Sequence, residues 1–181
     1  MLLVSSGFAG CGAQQATDES ASLLPPRARF GNLDRTAMQA VSVDLNSDGT
    51  PDQYRYFNTD GSLAIVERDF DFDGNSELFE HYDRGGQVVE REYQLDFDTA
   101  IDSVRFYNGG VLTRREVSTR FEQGLDLVEF YGADGVVVRI ERDADYDGRV
   151  DTWQYFEGGA IARVGRDLDG DGQPETYEEA E

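Results

Sequence analysis

From residue 53 to residue 179 the chain alternates aromatic or branched side chains with polar ones in short runs, each run ended by a glycine-bearing turn. The pairs at alternate positions are Tyr54/Tyr56, Phe79/His81, Val104/Phe106, Val128/Phe130 and Trp153/Tyr155. A period of two is the signature of a β-strand with two unlike faces. The turns that follow are Thr59-Asp60-Gly61, Arg84-Gly85-Gly86, Asn108-Gly109-Gly110, Ala133-Asp134-Gly135 and Glu157-Gly158-Gly159. Alternating runs joined through Asp-Gly, Asn-Gly or Gly-Gly predict β-hairpins. The residue between each aromatic pair is polar, namely Arg55, Glu80, Arg105, Glu129 and Gln154, which predicts one apolar and one solvated sheet face. Second strands such as Val136–Ile140 alternate less cleanly, and their faces stay unassigned.

Between hairpins an acidic frame recurs, starting at residues 44, 69, 94, 118, 143 and 167, so the repeat is 24 or 25 residues long. Six copies predict an all-β array of ten to twelve antiparallel strands, a tandem meander that twists or curls, with the acidic loops between hairpins. Its domain is expected to span residues 38–181, after a flexible tether over residues 12–37. Two repeats per four-stranded blade would give only three blades, which argues against a propeller.

In four copies the frame is Asp-x-Asp/Asn-x-Asp-Gly-x-x-Asp/Glu. The sets at positions one, three, five and nine are Asp44/Asn46/Asp48/Asp52, Asp69/Asp71/Asp73/Glu77, Asp143/Asp145/Asp147/Asp151 and Asp167/Asp169/Asp171/Glu175. Oxygen ligands at these positions converge if the chain turns sharply at position six, where glycine tolerates positive φ. Position seven adds a backbone carbonyl. Hard oxygens in a tolerant geometry suit Ca2+, whereas Mg2+ demands a tighter octahedron and Zn2+ prefers His or Cys. An acidic solvated turn would not place glycine at position six four times. The copy at Gln94 keeps Asp96, Asp98 and Asp102 but has Thr99 at position six. The copy at Ser118 has Arg120, Glu122 and Asp126, and Arg120 is expected to replace the ion by pairing with Glu122 or Asp126.

These loops resemble those of EF-hand, FG-GAP-type and thrombospondin type 3 calcium-binding repeats. Residues 69–80 and 167–178 satisfy the EF-hand pattern, with glutamate at position twelve. Across the six copies, however, position twelve is Arg55, Glu80, Arg105, Glu129, Gln154 and Glu178, whereas position nine is always acidic. The closing ligand is therefore expected at position nine. A turn within about eight residues of each loop leaves no room for an exit helix. The resemblance implies calcium-dependent rigidity and carries no enzymatic activity.

Charge narrows the partners. With 16 basic and 37 acidic residues the formal charge is −21, which argues against nucleic acid and against adsorption to anionic lipid. Phe8-Ala9-Gly10-Cys11 ends a short apolar run and resembles a bacterial lipobox, so residues 1–11 are expected to be a shortened lipoprotein signal with Cys11 lipidated. That resemblance implies a lipid-anchored location in the bacterial cell envelope, and the residue after Cys11 favours the outer membrane. With Cys11 the only cysteine, no internal disulfide is possible.

Catalytic constellations do not stand out. His81, the single histidine, occupies a slot filled elsewhere by Tyr or Phe, and Trp153 matches Tyr54 and Phe79. The expected role is a non-enzymatic, calcium-binding structural or adhesive domain. The alternative is a calcium-dependent module that recognises a protein or cell-wall partner through its aromatic sheet face.

Overall fold

The computed structural model describes residues 35–98, 100–121 and 124–180. The expected signal, Cys11 and most of the tether lie outside the described residues. Twelve strands run in chain order. They are β1 (Gln39–Val43), β2 (Gln53–Phe57), β3 (Leu63–Arg68), β4 (Leu78–Tyr82), β5 (Val88–Tyr93) and β6 (Ser103–Asn108). Then follow β7 (Val111–Val117), β8 (Leu127–Tyr131), β9 (Val137–Arg142), β10 (Thr152–Glu157), β11 (Ala160–Arg166) and β12 (Thr176–Glu179). Every strand pairs antiparallel with its chain neighbours, giving one open twelve-stranded meander. The array of hairpins expected from the repeats is the observed fold.

Turn chemistry fixes the register. In the two-residue turns of β6–β7 and β10–β11 both glycines have positive φ, 58° and 82° at Gly109-Gly110 and 58° and 83° at Gly158-Gly159. That is the turn whose twist matches a right-handed strand pair. The other three hairpins use longer turns closed by Gly61, Gly86 and Gly135, also at positive φ. All five hairpins carry a register shift at the same place, after Tyr56, His81, Phe106, Phe130 and Tyr155. An irregularity repeated at each unit adds local twist at each unit.

Cross-strand partners beside the loops form the row Tyr54, Glu67, Phe79, Glu92, Val104, Glu116, Val128, Glu141 and Trp153. First strands supply the apolar rungs and second strands the glutamates. The expected apolar face is therefore mixed, with Glu67, Glu92, Glu116 and Glu141 all buried in it. Guanidinium groups make this tolerable. Arg35 lies 2.6 Å from Glu67, Arg114 2.6 Å from Glu116, and Arg139 3.0 Å from Glu141. Arg114 and Arg139 also lie over the Phe130 ring, so their charge rests on aromatic faces beside the acids.

The opposite face departs from expectation in the complementary sense. Glu80, assigned to the solvated side, is only 3% exposed, held by Arg91 at 2.8 Å and Arg68 at 3.1 Å. A twisted single sheet lets long neighbours fold over a central rung, and ion pairing offsets the desolvation. Tyr131 donates to Glu129 at 2.6 Å on this face. Burial, then this bond to a carboxylate, pushes the phenol up to about 12.

The apolar core is small. Residues at loop position eight, Ile101, Leu125 and Val150, are buried, and Ile101 and Leu125 pack with Val104 against Phe79 and Phe106. The loops thus fold back over the end of the mixed face. At the last rung the glutamate is replaced by Gly165, where a Cβ would come 3.0 Å from the Tyr177 ring and 3.2 Å from Pro174.

Ile65, 1% exposed, is the centre of the β3 core. Ile65→Ala is expected to cost about 2–4 kcal/mol in urea unfolding, against under about 1 kcal/mol for the edge substitution Val41→Ala.

Candidate metal centres in the loops

Each loop is built by its own side chains accepting from its own amides. At position one both carboxylate oxygens are used. Asp69 accepts from Phe72 N at 2.7 Å and Gly74 N at 2.8 Å. Asp44, Asp143 and Asp167 hold positions four and six the same way. Asp71 accepts from the amide of Asp73, and Asp73 from that of Asn75, with the same steps at Asn46/Asp48, Asp145/Asp147 and Asp169/Asp171. Position nine accepts from the amide at position two in all six loops, at 2.5–2.7 Å.

Two requirements of this backbone differ in how visible they are. Position six has φ of 95°, 94°, 92° and 84° at Gly49, Gly74, Gly148 and Gly172, as its glycine implies. Position four is also left-handed, yet Ser47, Phe72, Phe97, Phe121 and Tyr146 occupy it, at φ between 57° and 68°. Nothing in those residue types marks such a backbone. The one hint is Gly170, at position four of the last loop, with φ of 78°.

The sites expected from sequence do not converge equally. One carboxylate oxygen from each of Asp69, Asp71, Asp73 and Glu77 lies within 4.8 Å of all the others, as is true of Asp167, Asp169, Asp171 and Glu175. In the fifth loop Asp143, Asp145 and Asp151 gather this closely, with Asp147 outside the group. Among the described residues no other loop brings three carboxylates together on that scale. In the first loop the Asn46 amide donates to Asp48 Oδ2 at 2.9 Å, so an amide sits among the acids. Position twelve is elsewhere. Glu80 faces Arg68 and Arg91, and Glu178 lies 3.9 Å from Arg166. These acidic groups can hold a metal ion through positions one, three, five and nine.

Burial, and then neighbouring carboxylates, set the electrostatics. Burial raises the Glu77 carboxyl, and Asp71, Asp69 and Asp73 raise it further against the Phe70 amide bond. Burial also raises Asp143, with Asp151 and Asp147 adding to it. Asp167 goes the other way: burial pushes it up, but the amides of Gly172, Gly170, Asp169 and Asp171 together bring it below its usual range.

The fourth loop corrects part of the expectation for Arg120. Asp126 is held by Thr119, whose amide donates at 2.5 Å and whose hydroxyl donates at 2.6 Å. The Arg120 guanidinium lies 3.7 Å from the centre of the Tyr146 ring, in the next loop. A hydroxyl at position two supplies what the expected Arg120–Asp126 pair was to supply, which frees the arginine to stack. Glu122 lies outside the described residues. Arg120, Ser118, Phe121, Asp98, Asp145 and Tyr146 line an open cavity of about 560 Å³ between the third, fourth and fifth loops.

No protein-family model and no curated protein matches the chain. Among solved structures, accessory secretory proteins 1, 2 and 3 of Streptococcus pneumoniae overlap 70% of this chain and 23% of theirs, at 10% identity and a TM-score of 0.45. The GtfA/B complex overlaps 64% and 19%, at 15% identity and a TM-score of 0.39. A TarM structure from S. aureus overlaps 70% and 19%, at 12% identity and a TM-score of 0.34. The chain spans less than a quarter of the length of each. At these scores the overlaps bear on neither mechanism nor partner.

Because Phe72 pays for its left-handed backbone, Phe72→Gly is expected to stabilise the metal-free protein by about 0.5–1 kcal/mol. Gly74→Ala, with open space around its Cβ, is expected to cost about 1 kcal/mol through φ alone. Denaturant midpoints measured in EGTA compare the two directly.

Proposed function

We propose that this protein is a calcium-stabilised β-meander with a structural or adhesive role, held to a bacterial envelope through a lipid on Cys11. The observation that carries the calcium reading is the second loop, where four carboxylates each aim one oxygen at a common point. Asp69, Asp71, Asp73 and Glu77 would hold the ion there. The equivalent residues would do so in the loops of Asp143 and Asp167, and Asp44, Asn46, Asp48 and Asp52 in the first. The donor set fits, being all oxygen, with the remaining valences of the acids already tied to amides. A bound cation would remove the mutual repulsion that, after burial, adds to the rise of Glu77 and Asp143.

Energy favours a structural role. At free calcium tenfold above Kd each site adds about 1.4 kcal/mol, so four add roughly 5–6 kcal/mol, comparable to the margin of an ordinary domain. The small apolar core makes that addition matter. The rival reading, partner recognition through the aromatic ladder, has less support. Trp153 is buried, and the three most exposed large apolar residues, Leu168, Leu45 and Phe70, sit in the loops. His81 lies in the ladder between Ile65 and Glu90, which supports a packing role over a catalytic one.

Thermal melting of the chain in millimolar calcium and in EGTA tests the proposal. A midpoint lowered by tens of degrees in EGTA is expected, and an unchanged midpoint would overturn it. The pH dependence has a definite sign. The raised groups, Glu67, Glu77, Asp102 and Asp143, titrate above their ordinary values of 4.5 or 3.8, so the folded state binds more protons there than the unfolded chain. The lowered groups, Asp48, Asp60 and Asp167, act only below 3.8. In EGTA the midpoint should therefore rise as pH falls from neutrality into the range where these raised carboxyls titrate. Saturating calcium should flatten or reverse that rise, because protons and cation then compete for the same oxygens.

A further inference from the structure

We infer that the third loop, although it lacks the leading aspartate and the glycine at position six and its three carboxylates stand further apart than those of the second loop, is a further cation site with Gln94, Asp96, Asp98 and Asp102 as its ligands. The inference rests on the calcium reading of the neighbouring loops. Asp102 is fully buried, at 0% exposure. Its Oδ2 accepts from Leu95 N at 2.6 Å. Glu77, Asp151 and Glu175 make the same contact in the loops whose carboxylates converge. The second oxygen of Asp102, Oδ1, is buried and accepts no hydrogen bond. The Gln94 side-chain oxygen, at position one, is likewise buried without a hydrogen-bond partner.

Two buried acceptors with no donor are costly unless something electropositive sits with them. The surroundings add negative charge instead. Asp96 and Asp98 keep the turns of the intact loops, Asp98 N donating to Asp96 at 3.2 Å and Ala100 N to Asp98 at 2.8 Å. A glutamine carbonyl and three carboxylates are an accepted oxygen set for calcium, with one negative charge fewer than the second loop.

The fourth loop is the internal control. Its position-nine acid, Asp126, is equally buried but receives two hydrogen bonds from Thr119. Leu95 stands at the matching position of the third loop and has no hydroxyl to give. One degenerate loop satisfies its buried acid from within, and the other takes a cation from solvent.

Equilibrium dialysis of the full chain against calcium at pH 7.5 tests this with two variants. Asp96→Asn/Asp98→Asn, both at exposed positions, is expected to bind one calcium fewer than the unaltered chain while the other sites fill normally. Leu95→Thr, which places the fourth loop's hydroxyl beside Asp102, is expected to weaken one site at least tenfold without touching any ligand. If both variants load as many ions as tightly as the unaltered chain, Asp102 is neutralised by a proton instead and the inference is overturned. If the unaltered chain takes up no calcium at all, the reading of the whole array falls with it, so the two failures are distinct.

Discussion

Every loop in the array is organised around the acid at position nine. Its carboxylate accepts from position two of its own loop at 2.5–2.7 Å. Its amide donates to the carbonyl just before the loop at 2.8–3.0 Å, as in Glu77 to Arg68, which closes the loop at its base. Its carbonyl in turn accepts from position one of the next loop at 2.8–2.9 Å, as from Gln94 N to Glu77. One residue per repeat therefore shuts its own loop and fastens the following one. This explains why position nine keeps its acid in all six copies while positions one, three and six vary. The other positions serve a site, whereas position nine serves the register of the sheet.

The same residues create the central energetic difficulty of the fold. Among the described residues more polar than apolar side chains are buried, and most of the polar ones are carboxylates. A single sheet has no second layer to cover it, so apolar burial cannot carry the stability alone. The sheet faces answer with arginines, which pair with Glu80, Glu116 and Glu141 and lie on Phe106 and Phe130. The loops have almost no arginine and answer with amides, each acid tying up to three N–H groups. Amides compensate one oxygen of Glu77 or Asp102 but leave the other facing more acid. The two halves of each repeat thus solve the same desolvation problem with different donors, and only the loop half is left short of positive charge.

Much of this was legible in the sequence. The hairpins and their turns follow from period and from glycine placement, because both act through the local backbone. The faces of the second strands were not legible. Glu67, Glu92, Glu116 and Glu141 break the apolar alternation, and a scale of hydrophobicity cannot see that a guanidinium on the neighbouring rung makes a glutamate buriable. Glu80 was placed on a solvated face for the same reason. The left-handed backbone at position four was hidden by aromatic residues that seldom adopt it, and the repeated register shifts near the turns have no residue signature. The convergence of the acids was only partly legible. The frame at Asp143 is complete in sequence, yet Asp147 lies outside the group that Asp143, Asp145 and Asp151 form.

The two degenerate loops show what the repeat has to preserve. Neither the third nor the fourth has a complete acidic cage, but both keep the position-nine bond, the base-closing amide and the link to the next loop. If a cation were what organised the loop, losing ligands at positions one or three and the glycine at position six would have released the strands on either side. Instead β5–β6 and β7–β8 pair as fully as β3–β4, with four cross-strand partners each. The backbone arrangement therefore comes first and the ion second. The acid at position nine is buried in the first four loops, where it has to be neutralised, half-buried at Asp151 and exposed at Glu175. A threonine hydroxyl does so at Asp126, and the acids gathered around Glu77 can do so by holding a metal ion.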